Sequence, residues 1–101
     1  MNTQQKEKCI SIANHYGKEN QVLIAIEEMS ELTKELCKYY RRYDRRREII
    51  EEISDAEIML EQLKELFNCE SDVSKVIDFK LDRQMRRIAR SEERRVGKEC
   101  R

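Results

Sequence analysis

Residues 21–40 read QVLIAIEEMSELTKELCKYY, and the periodicity of this stretch decides the fold. Val22, Ile26, Met29, Leu32, Leu36 and Tyr40 recur at steps of three and four, the spacing of one helix face. The segment therefore predicts a helix over about Gln21–Tyr40, with Asn20 as its N-cap. The same period appears on both sides. Upstream, Thr3–Tyr16 carries Cys9, Ile10, Ile12, Ala13 and Tyr16, and Gly17 supplies a stop because glycine tolerates positive φ. Downstream, Arg41–Asp44 is a short charged turn, and Asp44 is placed to cap a third helix over about Arg45–Phe67. Its stripe is Ile49, Ile53, Ala56, Leu60, Leu63 and Phe67. Asn68–Ser71 interrupts the pattern. A fourth helix, capped by Ser71 or Asp72, runs over about Val73–Arg90 with Val76, Ile77, Leu81, Met85 and Ile88 inward.

No strand-like alternation occurs, there is no proline, and only two of 101 residues are glycine. The expected fold is all-α, an up-and-down bundle of about four helices with short connections. A chain of this length forms one domain, placed at residues 1–90, and its small core gains from association with further copies. The polar tail 91–101 shows no helical stripe and resembles an appended, non-native sequence, so it carries no weight in the functional reading.

Charged residues make up 42% of the chain, yet 21 basic residues balance 21 acidic ones. Zero net charge argues against a nucleic-acid coat or a membrane-surface protein. Cys9, Cys37, Cys69 and Cys100 stand about thirty residues apart, with no CxxC spacing for zinc or redox chemistry. They read as reduced thiols, Cys37 as apolar filler, in a cytoplasmic protein. No apolar run is long enough to cross a bilayer, and Met1–Lys8 lacks a signal-peptide core.

The chemistry lies in acids placed next to the apolar stripes. Glu28 and Glu31 lie one turn apart on the second helix; Glu52 and Asp55 repeat that spacing on the third. Each pair stands roughly twelve residues from a turn centred near Arg42, so an antiparallel hairpin brings the pairs level. Met29 and Leu32 flank one pair, Ile53 and Ala56 the other, which sets the carboxylates at the edge of the seam. An EExxE string alone is ordinarily a solvated helix face. The second pair at matched height changes the balance, because facing carboxylates repel and a hard divalent cation relieves them. Oxygen donors without His or Cys select Mg²⁺, or Mn²⁺ in its place, over zinc.

At these residues the chain resembles the MazG-like all-α nucleoside triphosphate pyrophosphatase superfamily, whose pattern is EExxE followed by ExxD on antiparallel helices. Here it reads Glu27-Glu28-Met29-Ser30-Glu31 and Glu52-Ile53-Ser54-Asp55. The flanks Gln21–Ile26, Ala56–Leu63 and Lys80–Ile88 are similar too, and the resemblance spans about Ile10 to Arg90. Its small single-domain form looks most like phage or bacterial members. The resemblance implies hydrolysis of a nucleoside triphosphate to the monophosphate and pyrophosphate. It implies magnesium on Glu28, Glu31, Glu52 and Asp55, with Glu27 orienting or deprotonating the attacking water. Lys34, Lys80 and Arg83 are candidates to pair with the phosphates. Expected partners are the triphosphate and further copies of the chain, as a homodimer or homotetramer. The base is not specified: Trp is absent, and His15 and Tyr16 match no motif.

Two other readings stand beside this one. A helical interaction or regulatory protein can keep the scaffold without catalysis. The cluster Arg41, Arg42, Arg45, Arg46 and Arg47, beside Tyr39, Tyr40 and Tyr43, suits a nucleic-acid backbone. Glu48, Glu51 and Glu52 follow at helical spacing and can neutralise it, which favours a solvated turn.

Overall fold

The computed structural model describes the backbone of residues 1–99 and the side chains of residues 1–94. Among the described residues the chain is all-α, with four helices and no strand: α1 (Thr3–Tyr16), α2 (Lys18–Tyr40), α3 (Arg46–Leu66) and α4 (Glu70–Glu99). Helices α1 to α3 belong to one compact unit, Met1–Asn68; α4 belongs to a second, which begins at Cys69.

Local chemistry explains most boundaries. Asn2 and Gln5 form a reciprocal capping box at the start of α1, so both terminal donors are satisfied. Gly17, at φ 85°, ends α1 and begins α2 without an intervening loop. Asn20 is not the expected N-cap: α2 starts at Lys18, and the Asn20 amide instead donates to the Tyr16 carbonyl, an orphan acceptor at the end of α1. Nor does Asp44 cap α3, whose N-cap is Arg45 with no side-chain cap bond. The intervening turn is closed by Arg42 at φ 77°. Ser71 and Asp72 lie inside the first turn of α4. That helix continues through Ser91 to Glu99, beyond the end expected at Arg90, and no proline intervenes. Cys100 and Arg101 lie outside the described residues.

Helices α2 and α3 form an antiparallel hairpin. Lys18 sits over the Phe67 ring at 4.1 Å, Glu28 meets Glu52 and Asp55, and Glu35 meets Arg45. Each step forward on α2 is a step backward on α3. Helix α1 packs mainly on α3.

The seam differs from the expected stripes. Gln21, Ala25 and Glu35 are the buried residues of α2, with Glu28 and Leu32 half-buried between them. Positions 21, 25, 28, 32 and 35 follow a 3.5-residue repeat, offset by one from the apolar residues 22, 26, 29 and 36. On α3 the buried residues are Ala56, Met59 and Gln62. Ile26, Leu36, Tyr40, Ile53, Leu60 and Phe67, all expected inward, are exposed. Ala13, Ala25 and Ala56 are buried, and small side chains of this kind let packed helices approach closely. Cys37 is also exposed rather than apolar filler. On α4, Val76, Ile77, Leu81, Met85 and Ile88 are about half exposed, because a unit of one helix has no interior.

Candidate metal centre

Glu28 enters the centre from α2; Glu52 and Asp55 enter from α3 one turn apart. One carboxylate oxygen of each lies within 4.8 Å of the others. Glu28 and Glu52 are half-buried at the seam. One oxygen of Glu52, Oε2, is shielded from solvent and has no hydrogen-bond partner. A buried carboxylate oxygen left in that state is unfavourable unless a proton or cation reaches it.

The electrostatics agree. Burial pushes the Glu28 carboxyl above the ordinary glutamate value of 4.5, followed by the charges of Asp55 and Glu52, a hydrogen bond with Asp55, and the charge of Glu31. Burial likewise raises Glu52, with Asp55, Glu31, Glu35 and Glu51 adding to it. Among the described residues no Lys or Arg forms an ion pair with Glu28, Glu52 or Asp55. Oxygen donors, clustered negative charge, an orphaned oxygen and no protein counter-ion together fit a hard divalent cation.

The expected set is thus brought together in large part. Glu31 is exposed and outside the three-carboxylate group, although its charge raises both Glu28 and Glu52. Glu27 is exposed, also outside that group, and adjoins Glu28 in the chain. Lys34 is exposed, and its charge acts on Glu35. Lys80 and Arg83 lie on α4 in the second unit, where the Arg83 guanidinium stands 5.7 Å from the Phe79 ring.

One pair was not singled out by the sequence. Glu35 is only 6% exposed, and Arg45 chelates it with Nε donating to Oε2 at 2.7 Å and Nη2 to Oε1 at 3.1 Å. Lys38 lies 3.7 Å from the same carboxylate. The hydrogen bond from Arg45 holds the Glu35 carboxyl below its usual range. The signal was present, since Glu28, Glu31 and Glu35 continue one acidic row at steps of three and four.

No protein-family model matches the chain, and neither the curated proteins nor the solved structures include a match to it. The site is therefore read from its own geometry.

Proposed function

We propose that this chain is a magnesium-dependent nucleoside triphosphate pyrophosphohydrolase, converting a (d)NTP and water to the (d)NMP and pyrophosphate. The observation that carries this reading is the convergence of Glu28, Glu52 and Asp55 from two helices without a protein cation among them. The resemblance to the MazG-like superfamily supplies the reaction. Glu28, Glu31, Glu52 and Asp55 would hold Mg²⁺, with Mn²⁺ as a substitute. A bound divalent ion neutralises phosphate charge and lowers the pKa of a bound water. Glu27 orients the attacking water, and its exposed position leaves it accessible to substrate. Lys34 supplies positive charge to the phosphates. The working form is a homo-oligomer, a dimer or a tetramer. Its support is that no Leu, Ile, Val or Phe is fully buried among the residues whose side chains are described.

The test is incubation of purified protein with each NTP and dNTP and Mg²⁺. The expected products are monophosphate and pyrophosphate, and Glu31→Gln is expected to abolish turnover with helical circular dichroism intact. Diphosphate plus orthophosphate would break the assignment of attack at the α-phosphorus.

A second reading draws on the turn. Tyr39, Tyr40 and Tyr43 are strongly exposed beside the exposed Arg41, Arg42, Arg46 and Arg47. That surface suits a single-stranded nucleic acid, with stacking on the rings and ion pairing to phosphate. An inactive protein that retards DNA or RNA in a salt-dependent manner would favour it.

A further inference from the structure

Glu35 is the most buried carboxylate on the α2 face of the seam, and it is matched by a guanidinium while Glu28, Glu52 and Asp55 have no such partner. We infer that Arg45 is a positioning residue for the carboxylate centre. By chelating Glu35 it locks the α2–α3 register that sets Glu28 opposite Glu52 and Asp55. This inference rests on the metal-centre reading above.

The geometry of the hairpin supports the assignment. Arg45 is the N-cap residue of α3, and Glu35 lies near the end of α2, so their contact closes the turn at the point where α3 begins. Two N–H groups of one rigid guanidinium meet both oxygens of one carboxylate, which restricts rotation as well as separation. A lysine ammonium, a point charge on a flexible stem, imposes no such angle.

Ala25, Leu32, Ala56 and Met59 offer apolar contacts, which carry no direction, and the buried Gln21 Oε1 has no hydrogen-bond partner. A buried carboxylate matched by a half-buried guanidinium across a helix seam can choose one register. The consequence for the site is large. A slip of one residue moves a helix position about 1.5 Å along the axis and about 100° around it. Asp55 would then leave the Glu28 side chain, and the three-carboxylate group would disperse.

Arg45 also pairs with Glu48 at 3.8 Å, one turn into α3. The same guanidinium therefore joins the first turn of α3 to the last turns of α2. Both acids it engages are on the side of the carboxylate centre nearest the turn.

The experiment measures binding of Mn²⁺ alone by titration calorimetry, thermal unfolding without metal, and amide hydrogen exchange over α2 and α3. Arg45→Met should weaken Mn²⁺ binding at least about tenfold, the loss typical of groups that orient metal ligands. The double variant Glu35→Met with Arg45→Met removes the buried Glu35 charge together with its half-buried counter-ion, so its thermal midpoint should recover to the wild-type value or above. Its Mn²⁺ affinity should stay low and its seam amides should exchange faster than in wild type. Wild-type affinity in the double variant would overturn the positioning role and leave only a structural ion pair. Arg45→Lys keeps a counter-charge for Glu35 and so preserves the fold; its affinity should fall several-fold, and an unchanged value would equally overturn the proposal. If the wild type itself binds no Mn²⁺, the metal reading fails. Exchange then decides the register role: faster exchange in the double variant sustains it and unchanged exchange rejects it.

Discussion

At Glu52 the side chain meets opposing demands. The seam removes it from water, its neighbours are acids, and Oε2 has no partner. Replacing the charge should relax the apo protein while removing a metal ligand. Glu52→Gln is therefore expected to raise the metal-free thermal midpoint by a few degrees and to weaken Mn²⁺ binding by an order of magnitude or more, read by thermal melts and calorimetry. The pH dependence follows from the same shifts. Glu28 and Glu52 are raised above 4.5, so between that value and their raised values the native state binds more protons than the unfolded state. Their contribution is full below 4.5 and is lost as pH rises through the raised values. Glu35, held below 4.5 by Arg45, acts oppositely: its contribution is present above 4.5 and lost as pH falls through its lowered value. Metal-free protein should thus lose thermal stability as pH rises from 4.5 through the raised values, and Mg²⁺ should restore more of it above those values than below them because it displaces protons. A flat midpoint over that range would contradict the raised carboxyls.

Among the elements, the chain reversals are made by single residues rather than long loops. Gly17 holds φ 85° with open space where a Cβ would stand, so only backbone strain opposes a side chain there. Gly17→Ala is expected to destabilise the protein by about 1 kcal/mol. Arg42 holds φ 77° without being glycine, and Arg42→Gly should stabilise by roughly 0.5–1 kcal/mol through the relief of that strain. Chemical denaturation measures both. The helices themselves were legible because their period and their stop signals are local. The caps were less so. Asp44, Ser71 and Asp72 each have capping chemistry, but α3 starts two residues after Asp44 and α4 starts before Ser71. An acceptor in the right part of the sequence caps only when the backbone turns at that residue, and here Arg42 and Asn68, at φ 50°, set the turns.

At the scale of the whole molecule, the packed seam leaves a second apolar surface. Ile26, Leu36, Ile50, Ile53, Leu60 and Phe67 are exposed one position away from the seam on α2 and α3. Because the helices run antiparallel, the same offset on each falls on one side of the hairpin. Leu36, Tyr39, Tyr43, Ile49, Ile50 and Ile53 line a groove of about 490 Å³ on it. Glu27, Glu31, Glu51 and Asp55 are offset in the opposite sense, so self-association through the apolar side leaves the acidic side open. Leu36→Glu with Ile53→Glu is expected to convert the proposed oligomer to monomer in sedimentation, with helical content retained. A wild type that sediments as monomer would refute association. Among the described residues no helix is long and apolar enough to cross a membrane.

The one-dimensional record determined the helices, their order and the two acidic pairs, because period, glycine stops and i, i+3 spacing are properties of neighbouring residues. It also placed the pairs level by their equal distance from the turn. Which face of each helix turned inward was decided only by tertiary packing. Hydrophobicity pointed to Ile26, Leu36 and Tyr40, which are exposed, whereas packing buried Gln21, Ala25 and Glu35. Burying glutamates contradicts residue preference, and it becomes possible here because Arg45 meets one of them across the turn. That partner is ten residues away in sequence, at the N-cap of another helix, so no local pattern could specify the match.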